Sequence, residues 1–205
     1  MTNEIKHIIS RKSQIGSGIV IKTITDYLTR SQETGGMVKT DKHFKESETK
    51  SLTIYVQENN LWYPSIDIND FVAEGAEQKV FIKNETSVIK LNDSIYYLSW
   101  LDYFYNLILH NYFFQDTPYE LLGFYKLNET IFAVVEQPFV KATEKTNLNL
   151  VKEFLSNNGF ENNRNNDYIN NKLGLILEDL HDENVLTQNG ILYFIDTVFY
   201  IINQF

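Results

Sequence analysis

The segment from Leu175 to Asp196 constrains the fold of this chain more than any other part of the sequence. It is typical of a short apolar strand that leads to Asp179 on a loop, followed by a hairpin that begins at Asn184 and ends at Asp196. Asn189-Gly190 is the predicted turn of this hairpin, because both residues tolerate positive φ. Since a hairpin brings its two ends together, we expect the Asn184 amide and the Asp196 carboxylate to lie side by side.

Three side chains of this segment have the chemistry that phosphoryl transfer requires. Amide and carboxylate oxygens are ligands that Mg²⁺ prefers, so Asn184 and Asp196 are the predicted metal ligands. Asp179, five residues before Asn184, is the candidate base that orients an acceptor hydroxyl. The alternative is a hairpin flanked by solvated acidic residues that binds no cation.

Composition restricts the class of protein and its partners. The 205 residues are 43% hydrophobic, which is enough for one domain with a real core, and the absence of cysteine excludes disulfides and thiolate metal sites. A net charge of −9 disfavours nucleic acid and anionic membranes as partners. ATP remains compatible, because Mg²⁺ and a few cations can neutralise its phosphates. No run approaches the ~20 apolar residues of a membrane helix and the N-terminus lacks a signal core, so we expect a cytoplasmic protein.

Helices and strands are segregated along the chain, which favours an α+β fold over a parallel βαβ sheet. Residues 1–65 are predicted to form a helical extension, residues 66–140 a sheet with one long helix, and residues 141–205 a smaller region with the hairpin. Helices are predicted at 19–30, 46–59, 94–114 and 147–158, and loops at 30–40 and at the Asn-rich stretch 156–171, with a short strand at 167–169. Further strands are predicted at 71–73, 79–83, 87–91, 122–127, 130–135, 175–177, 185–187 and 191–195.

A lysine and an aspartate in the middle region form a second candidate group. Lys90 ends an apolar strand, from which its ammonium group can reach phosphate oxygens, and Gly75 in the preceding turn lets backbone N–H groups approach a phosphate. Asp102 belongs to a predicted apolar helix face, and because a buried carboxylate needs a cation, Lys90 is its predicted partner. The alternative places Asp102 on an exposed side of the helix. The predicted face comprises Ile95, Leu98, Asp102, Tyr105, Leu109 and Tyr112.

Together these residues resemble a known family. Asp179-Leu180-His181-x-x-Asn184, with Phe194-Ile195-Asp196, is similar to the catalytic and metal loops of the protein-kinase-like superfamily in the style of aminoglycoside and choline phosphotransferases. More narrowly, the chain resembles the small kinase-like domains of polyvalent proteins of phages and mobile elements, and their stand-alone bacterial relatives. The resemblance covers roughly residues 70–200 and includes Glu74-Gly75-x-Glu77-x-x-Val80, Val88-Ile89-Lys90, His110-Asn111, Gly123-Phe124 and Gln137-Pro138-Phe139-Val140.

The resemblance implies a minimal bilobal fold with a truncated C-terminal lobe and an N-terminal helical extension, and it implies ATP and Mg²⁺ as cofactors. Asp179, Lys90 and Asp102 would be catalytic, with Lys90 on the α/β-phosphates and paired with Asp102. Asn184 and Asp196 would bind the metal. Nucleotide-binding positions implied are Gly75, Lys90, Glu136, Gln137 and His181, although a purely structural role of His181 in its loop is equally compatible.

The chain departs from the family pattern at several positions. Leu177 stands where a histidine is usual two residues before the catalytic Asp, and the phosphate turn holds one glycine. The chain ends nine residues after Asp196. We therefore expect an acceptor of a restricted kind, which is either a small molecule or a protein. A pseudokinase-like nucleotide-binding module without transfer is the second hypothesis. An interaction protein that uses residues 1–65 as its contact surface is the third.

Overall fold

The computed structural model describes residues 1–10, 17–34, 41–75 and 77–202, and the chain divides into two compact units. The first unit comprises Met1–Arg11, Ile108–Pro118 and Val140–Phe205, and the second comprises Lys12–Leu107 and Tyr119–Phe139. The predicted helical extension of residues 1–65 therefore contributes to both units, since its first helix belongs to the first unit and its remainder to the second. The predicted α+β class is confirmed. The described residues form the α-helices α1 (Asn3–Ser10), α2 (Ser17–Thr34), α3 (Asp41–Glu58), α4 (Trp100–Phe113) and α5 (Leu148–Asn157), and a short 3-10 helix at Ile68–Asp70.

The second unit contains a five-stranded antiparallel sheet of order β1-β2-β3-β5-β4, so that β3 lies in its middle. Every residue of β3 is buried, and Lys90 lies opposite Val80 of β2 and Val135 of β5. The core beside these strands includes Phe81, Leu91 and Val134. The strands are β1 (Phe71–Glu74), β2 (Gln78–Asn84), β3 (Ser87–Asn92), β4 (Glu120–Leu127) and β5 (Thr130–Pro138).

Helices α2 and α3 confirm the predictions at 19–30 and 46–59, and both are longer than predicted. Ile21, Ile24 and Leu28 of α2 are fully buried, as helical spacing requires of a core-facing stripe. Helix α2 continues to Thr34, so residues 30–34 of the predicted loop are helical, and the rest of that prediction, with Gly35-Gly36, lies outside the described residues. No described helix has the length and apolarity that crossing a membrane requires.

Helix α4 begins six residues later than predicted, at Trp100 rather than at Ser94. The Asn92 side chain accepts a hydrogen bond from the Ser94 N–H at 2.6 Å, and Ser94 has a positive φ of 61°, so the chain turns here before the helix starts. Ile95 and Leu98 are consequently 66% and 74% exposed, and the predicted apolar face is wrong. The buried face consists instead of Trp100, Leu101, Tyr103, Phe104, Leu107 and Leu109.

The first unit contains a four-stranded sheet of order β11-β8-β7-β6 and the two-stranded hairpin β9–β10. The predicted hairpin 185–195 is confirmed, and so are the predicted strands at 167–169 and 175–177. Strands β6 and β11 lie in segments that were not predicted to be extended. The strands are β6 (Glu161–Arg164), β7 (Asp167–Asn170), β8 (Leu175–Glu178), β9 (Val185–Gln188), β10 (Ile191–Phe194) and β11 (Val198–Ile201).

Aromatic stacking fixes the end of α4 against β10 and β11 within the first unit. The ring of Phe114 stacks on Phe194 with centroids 4.2 Å apart, and Phe113 stacks on Phe199 at 5.4 Å. Phe194, Phe199 and Phe114 are all buried. The segment between Phe194 and Phe199, which contains Asp196, is thus held at both ends by rings of the same helix end.

Candidate functional site

Asn184 and Asp196 lie together at one end of the β9–β10 hairpin. Val185 of β9 is directly opposite Phe194 of β10, so the residues just outside this pair are neighbours. The carbonyl oxygen of Asn184 accepts hydrogen bonds from the N–H of Ile195 at 2.9 Å and of Asp196 at 3.3 Å. The backbones of Asn184 and Asp196 are therefore neighbours, while the approach of the amide to the carboxylate and the role of both residues as metal ligands stay predictions.

Asp179 is tied to the same hairpin end through Asn184 and His181. The side-chain nitrogen of Asn184 donates to Asp179 Oδ2 at 2.8 Å and to the Asp179 carbonyl at 2.9 Å. His181 Nδ1 accepts from the Glu183 N–H at 3.2 Å, and His181 Nε2 lies 3.2 Å from Asp179 Oδ1 and 3.2 Å from the side-chain nitrogen of Asn184. Asn184 Oδ1 has no hydrogen bond to any described residue, which leaves an oxygen of the right type for a hard cation.

The backbone of Asp179 adopts an uncommon conformation, which residues 166 and 167 of the Asn-rich stretch 156–171 support. Asp179 has φ of 66°, in the left-handed region that non-glycine residues occupy infrequently. The Asp167 carboxylate accepts a hydrogen bond from the Asp179 N–H at 3.2 Å, and the Asn166 carbonyl accepts from the Leu180 N–H, also at 3.2 Å. The side chain of Leu180 is fully buried. The β6–β7 hairpin therefore braces the loop that carries Asp179, a role that the sequence analysis did not assign to it.

Acidic groups lie close to one another around Asp179. Burial raises the pKa of Glu178, and the negative charges of Asp167 and Asp179 raise it further. Such a concentration of negative charge favours a cation at this end of the hairpin. Within the described part of the chain, no group of three or more His, Cys, Asp or Glu side chains forms a ready-made metal centre. Mg²⁺ does not require one, because it is commonly held by one or two carboxylates together with waters and substrate phosphates.

In the second unit, Lys90 is 4% exposed on the central strand β3. Its ammonium nitrogen lies 5.5 Å from the centroid of the Tyr119 ring, a distance at which the ring face attracts a cation. Tyr119 is 2% exposed, so this attraction acts in a largely desolvated setting. A buried ammonium group of this kind is suited to bind an anion.

The predicted pairing of Asp102 with Lys90 is wrong, because Asp102 is committed to the start of its own helix. Ser99 Oγ donates to Asp102 Oδ2 at 2.8 Å and accepts from the Asp102 N–H at 3.0 Å, which is a reciprocal N-terminal cap. Burial raises the pKa of Asp102, while the bonds from Ser99 and the charge of Lys45 lower it. The spacing Ser99-x-x-Asp102 was the signal in the sequence from which this cap could have been predicted.

Helix α3 supplies two charged groups that hold the start of α4, and neither is predicted from the sequence. Glu48, 5% exposed, accepts hydrogen bonds from the N–H groups of Trp100 at 2.6 Å and Leu101 at 3.1 Å. Burial raises the pKa of Glu48, and these backbone bonds oppose the increase. The ammonium group of Lys45 donates to the carbonyl oxygens of Ser94 and Tyr97.

The remaining predicted nucleotide-binding positions lie in the sheet of the second unit. The Gly75 N–H donates to the Gln78 carbonyl at 2.9 Å, which closes the turn between β1 and β2, and a Cβ added at Gly75 would meet open space. Burial alone would raise the pKa of Glu136, but the hydrogen bond from Lys83 and its positive charge lower it overall. Gln137 is 1% exposed on β5. Asp179, His181, Asn184 and Asp196 all belong to the first unit.

Comparison with known proteins gives one family. The model of a family described as serine/threonine/tyrosine kinase found in polyvalent proteins matches residues 45–203, which is more than half of the chain. The match includes α3 from Lys45 onward, the five-stranded sheet and the whole segment from Leu175 to Asp196. No curated protein and no solved structure gave a significant match.

Proposed function

We propose that this chain, which belongs to the family of serine/threonine/tyrosine kinases found in polyvalent proteins, is a phosphotransferase that uses ATP and Mg²⁺. The observation that carries the proposal is the hairpin end at which Asn184 and Asp196 are neighbours and Asn184 holds Asp179. The acceptor is a hydroxyl group of a small molecule or of a protein side chain. The family description names serine, threonine and tyrosine, which are hydroxyl-bearing residues.

The donor set fits a hard divalent cation. One amide oxygen of Asn184 and one carboxylate of Asp196 would hold Mg²⁺, and waters and phosphate oxygens would complete its coordination. When bound, the cation neutralises charge that develops on the transferred phosphoryl group. The Asn184 amide is oriented for this task because its nitrogen is occupied by Asp179, so its oxygen is turned the other way.

Asp179 orients the acceptor hydroxyl and accepts its proton in the proposed reaction. Its side chain is 57% exposed, as a group that meets a substrate from solvent requires. The hydrogen bond from Asn184 and the contact with His181 at 3.2 Å restrict its rotation, and the bond from its own N–H to Asp167 restricts its backbone. This rigidity is consistent with catalysis by positioning, in which little reorganisation is needed at the moment of transfer.

Nucleotide binding is assigned to the second unit. Lys90 contacts the α- and β-phosphates through its buried ammonium group, and the Gly75 turn lets backbone N–H groups approach the phosphates. The backbone of β5 at Glu136 and Gln137 meets the adenine. The burial of Lys90 on the central strand β3, with its ammonium group over the Tyr119 ring, supports this assignment, because a phosphate that reaches this group would meet it in a largely desolvated setting.

Turnover of ATP tests the proposal. In the presence of Mg²⁺ we expect ADP formation by the full chain to fall by about 100-fold or more in Asp179→Asn and Asp196→Asn, which remove a base and a metal ligand without a change of size. Asp182→Asn is the matched control, because Asp182 lies in the same loop and is paired with Lys145 at 3.4 Å. Equal loss in all three variants, or full activity of Asp179→Asn, would contradict the assigned roles.

A second candidate is a nucleotide-binding module without transfer activity. The engagement of Asp102 with Ser99 favours it, because the acidic partner that the family pattern assigns to Lys90 is used as a helix cap. Thermal stabilisation by Mg·ATP without ADP formation would support this candidate. Absence of Mg·ATP binding in calorimetry would exclude both candidates.

A further inference from the structure

Buried hydrogen bonds hold the backbone on both sides of Asp196. His110 Nδ1 lies 2.7 Å from the hydroxyl of Thr197, the residue that follows Asp196. On the other side, the Thr117 hydroxyl donates to the Phe194 carbonyl, two residues before Asp196, at 2.5 Å. His110, Thr117 and Thr197 are 0%, 1% and 1% exposed. These side chains come from the end of α4, from the turn after it, and from residues 195–197 between β10 and β11.

The hydrogen-bonding pattern fixes the histidine ring. His110 Nε2 lies 2.8 Å from the carbonyl oxygen of Thr117, and since a carbonyl can only accept, Nε2 carries a hydrogen. In the neutral ring Nδ1 then accepts from the Thr197 hydroxyl. The ring also lies 5.4 Å from the Phe114 ring, which in turn stacks on Phe194. Polar groups this deeply buried are costly unless they are paired, so the arrangement strongly favours one position of Thr197.

We infer that His110 and Thr197 are positioning residues that aim the Asp196 carboxylate at the metal. The inference rests on the proposed function, in which Asp196 is a metal ligand. The Thr197 hydroxyl is hydrogen-bonded to His110, and Thr197 and Asp196 share a peptide bond, so this contact restricts the backbone from which the Asp196 side chain leaves. The Asn184 carbonyl, bonded to the Asp196 N–H, supplies the second restraint. Groups that orient metal ligands from outside the coordination sphere commonly change metal affinity when they are removed.

A pair of substitutions at Thr197 isolates the hydroxyl. Thr197→Val keeps the shape and removes the hydrogen bond to His110, whereas Thr197→Ser keeps the hydroxyl. We expect Thr197→Val to raise the apparent dissociation constant of Mg²⁺, measured by calorimetry on the ATP-loaded full chain, by about 10-fold or more. Thr197→Ser should remain close to the wild type. Binding of ATP in EDTA should not change in either variant, because metal-free nucleotide binding does not use Asp196.

A second pair of substitutions, at His110, tests the inference if Thr197→Val fails to fold. His110→Asn places an amide near the position of Nδ1 and keeps a partner for Thr197, whereas His110→Gln reaches the Thr117 carbonyl and loses the Thr197 bond. We expect the Mg²⁺ constant to rise in His110→Gln more than in His110→Asn. NMR of the histidine ring nitrogens provides a readout that does not depend on activity, and should show the tautomer with hydrogen on Nε2.

The outcomes separate this inference from the proposed function. A wild type that binds Mg·ATP together with an unchanged Mg²⁺ constant in Thr197→Val overturns the inference and leaves the proposed function intact. Equal weakening of metal-free and Mg²⁺-dependent binding also overturns it, because that result indicates general damage. A wild type that binds no Mg·ATP overturns the proposed function and, with it, any role of His110 at a metal.

Discussion

Removal of the Glu48 side chain is the most direct test of how α3 holds the start of α4. In Glu48→Ala the N–H groups of Trp100 and Leu101 lose their acceptor, and both residues are buried, at 1% and 7% exposure. Each buried donor left without a partner costs about 1–3 kcal/mol, so the two together cost about 2–6 kcal/mol. Burial raises the pKa of Glu48, because desolvation disfavours its charged form. Removal of the side chain also removes this desolvation penalty, which offsets part of the loss of stability.

We therefore expect Glu48→Ala to lower the free energy of unfolding by about 3 kcal/mol, and Glu48→Gln by about half as much, because the amide oxygen still accepts one N–H. Urea unfolding of the full chain measures the change, followed by far-ultraviolet circular dichroism and by tryptophan fluorescence. Trp100 is one of only two tryptophans, so fluorescence reports the start of α4. Circular dichroism reports the remainder of the fold.

Glu46→Ala is the matched control for Glu48. Glu46 lies on the same helix, its side chain is 53% exposed, and its partner is the exposed His43 at 3.7 Å. An exposed change of this kind is expected to stay within about 0.5 kcal/mol. A loss below about 1 kcal/mol in Glu48→Ala, or equal losses at both positions, would show that the N–H groups of Trp100 and Leu101 find other acceptors. Glu48 would then not be needed to hold the start of α4.

Three further predictions follow from the same contacts. Because burial raises the pKa values of Glu48 and Asp102, these two carboxyl groups bind protons more tightly in the folded chain than in the unfolded chain. Their contribution to stability should therefore fall as the pH rises above the ordinary carboxyl pKa of about 4, and urea unfolding of Glu48→Gln should show a flatter pH dependence. Asp167→Ala should lower ATP turnover about 10-fold through loss of the Asp179 N–H bond, whereas Asp167→Asn, which keeps an acceptor, should lose less. Gly123→Ala should lower the melting temperature, since φ is 147° and the new Cβ would lie 2.4 Å from the Leu61 carbonyl oxygen, while Gly75→Ala should leave it unchanged because its Cβ meets open space.

The parts of this molecule that local patterns encode could be predicted from the sequence. The β9–β10 hairpin has Asn189-Gly190 at its turn and apolar residues on both strands, so its register follows from a few neighbouring residues. Because that register is local, the neighbourhood of Asn184 and Asp196 followed directly from it. Helices α2 and α3 could also be predicted from local spacing. In α2, for example, the buried residues Ile21, Ile24 and Leu28 repeat at helical spacing.

Other elements were hidden by composition. Strand β6 is fully exposed and polar, so its segment resembles a loop although it pairs with β7, the strand predicted at 167–169, which in turn pairs with β8 through Tyr168 and Ile169. Asparagine is depleted in strands, and propensity alone therefore favours a turn here. What overrides it is the sheet: Tyr168 and Asn170 are buried against their neighbours, and the neighbouring residues Asn166 and Asp167 then reach the backbone of the Asp179 loop.

The contacts that position the candidate site are long-range, and this is the physical reason why they escaped prediction. Glu48 and Trp100 are 52 residues apart in the chain, and His110 and Thr197 are 87 apart, so no local spacing reveals either pair. Asp102 shows the opposite error, because its apolar neighbours in sequence indicated burial next to a cation, whereas the nearer Ser99 satisfies it at much lower entropic cost. Groups that touch a substrate can be recognised in a short motif because their chemistry fixes residue type and spacing together. Groups that only orient them need to supply a single hydrogen bond from any element that packs nearby, and for such groups the fold, rather than the motif, determines which residue is used.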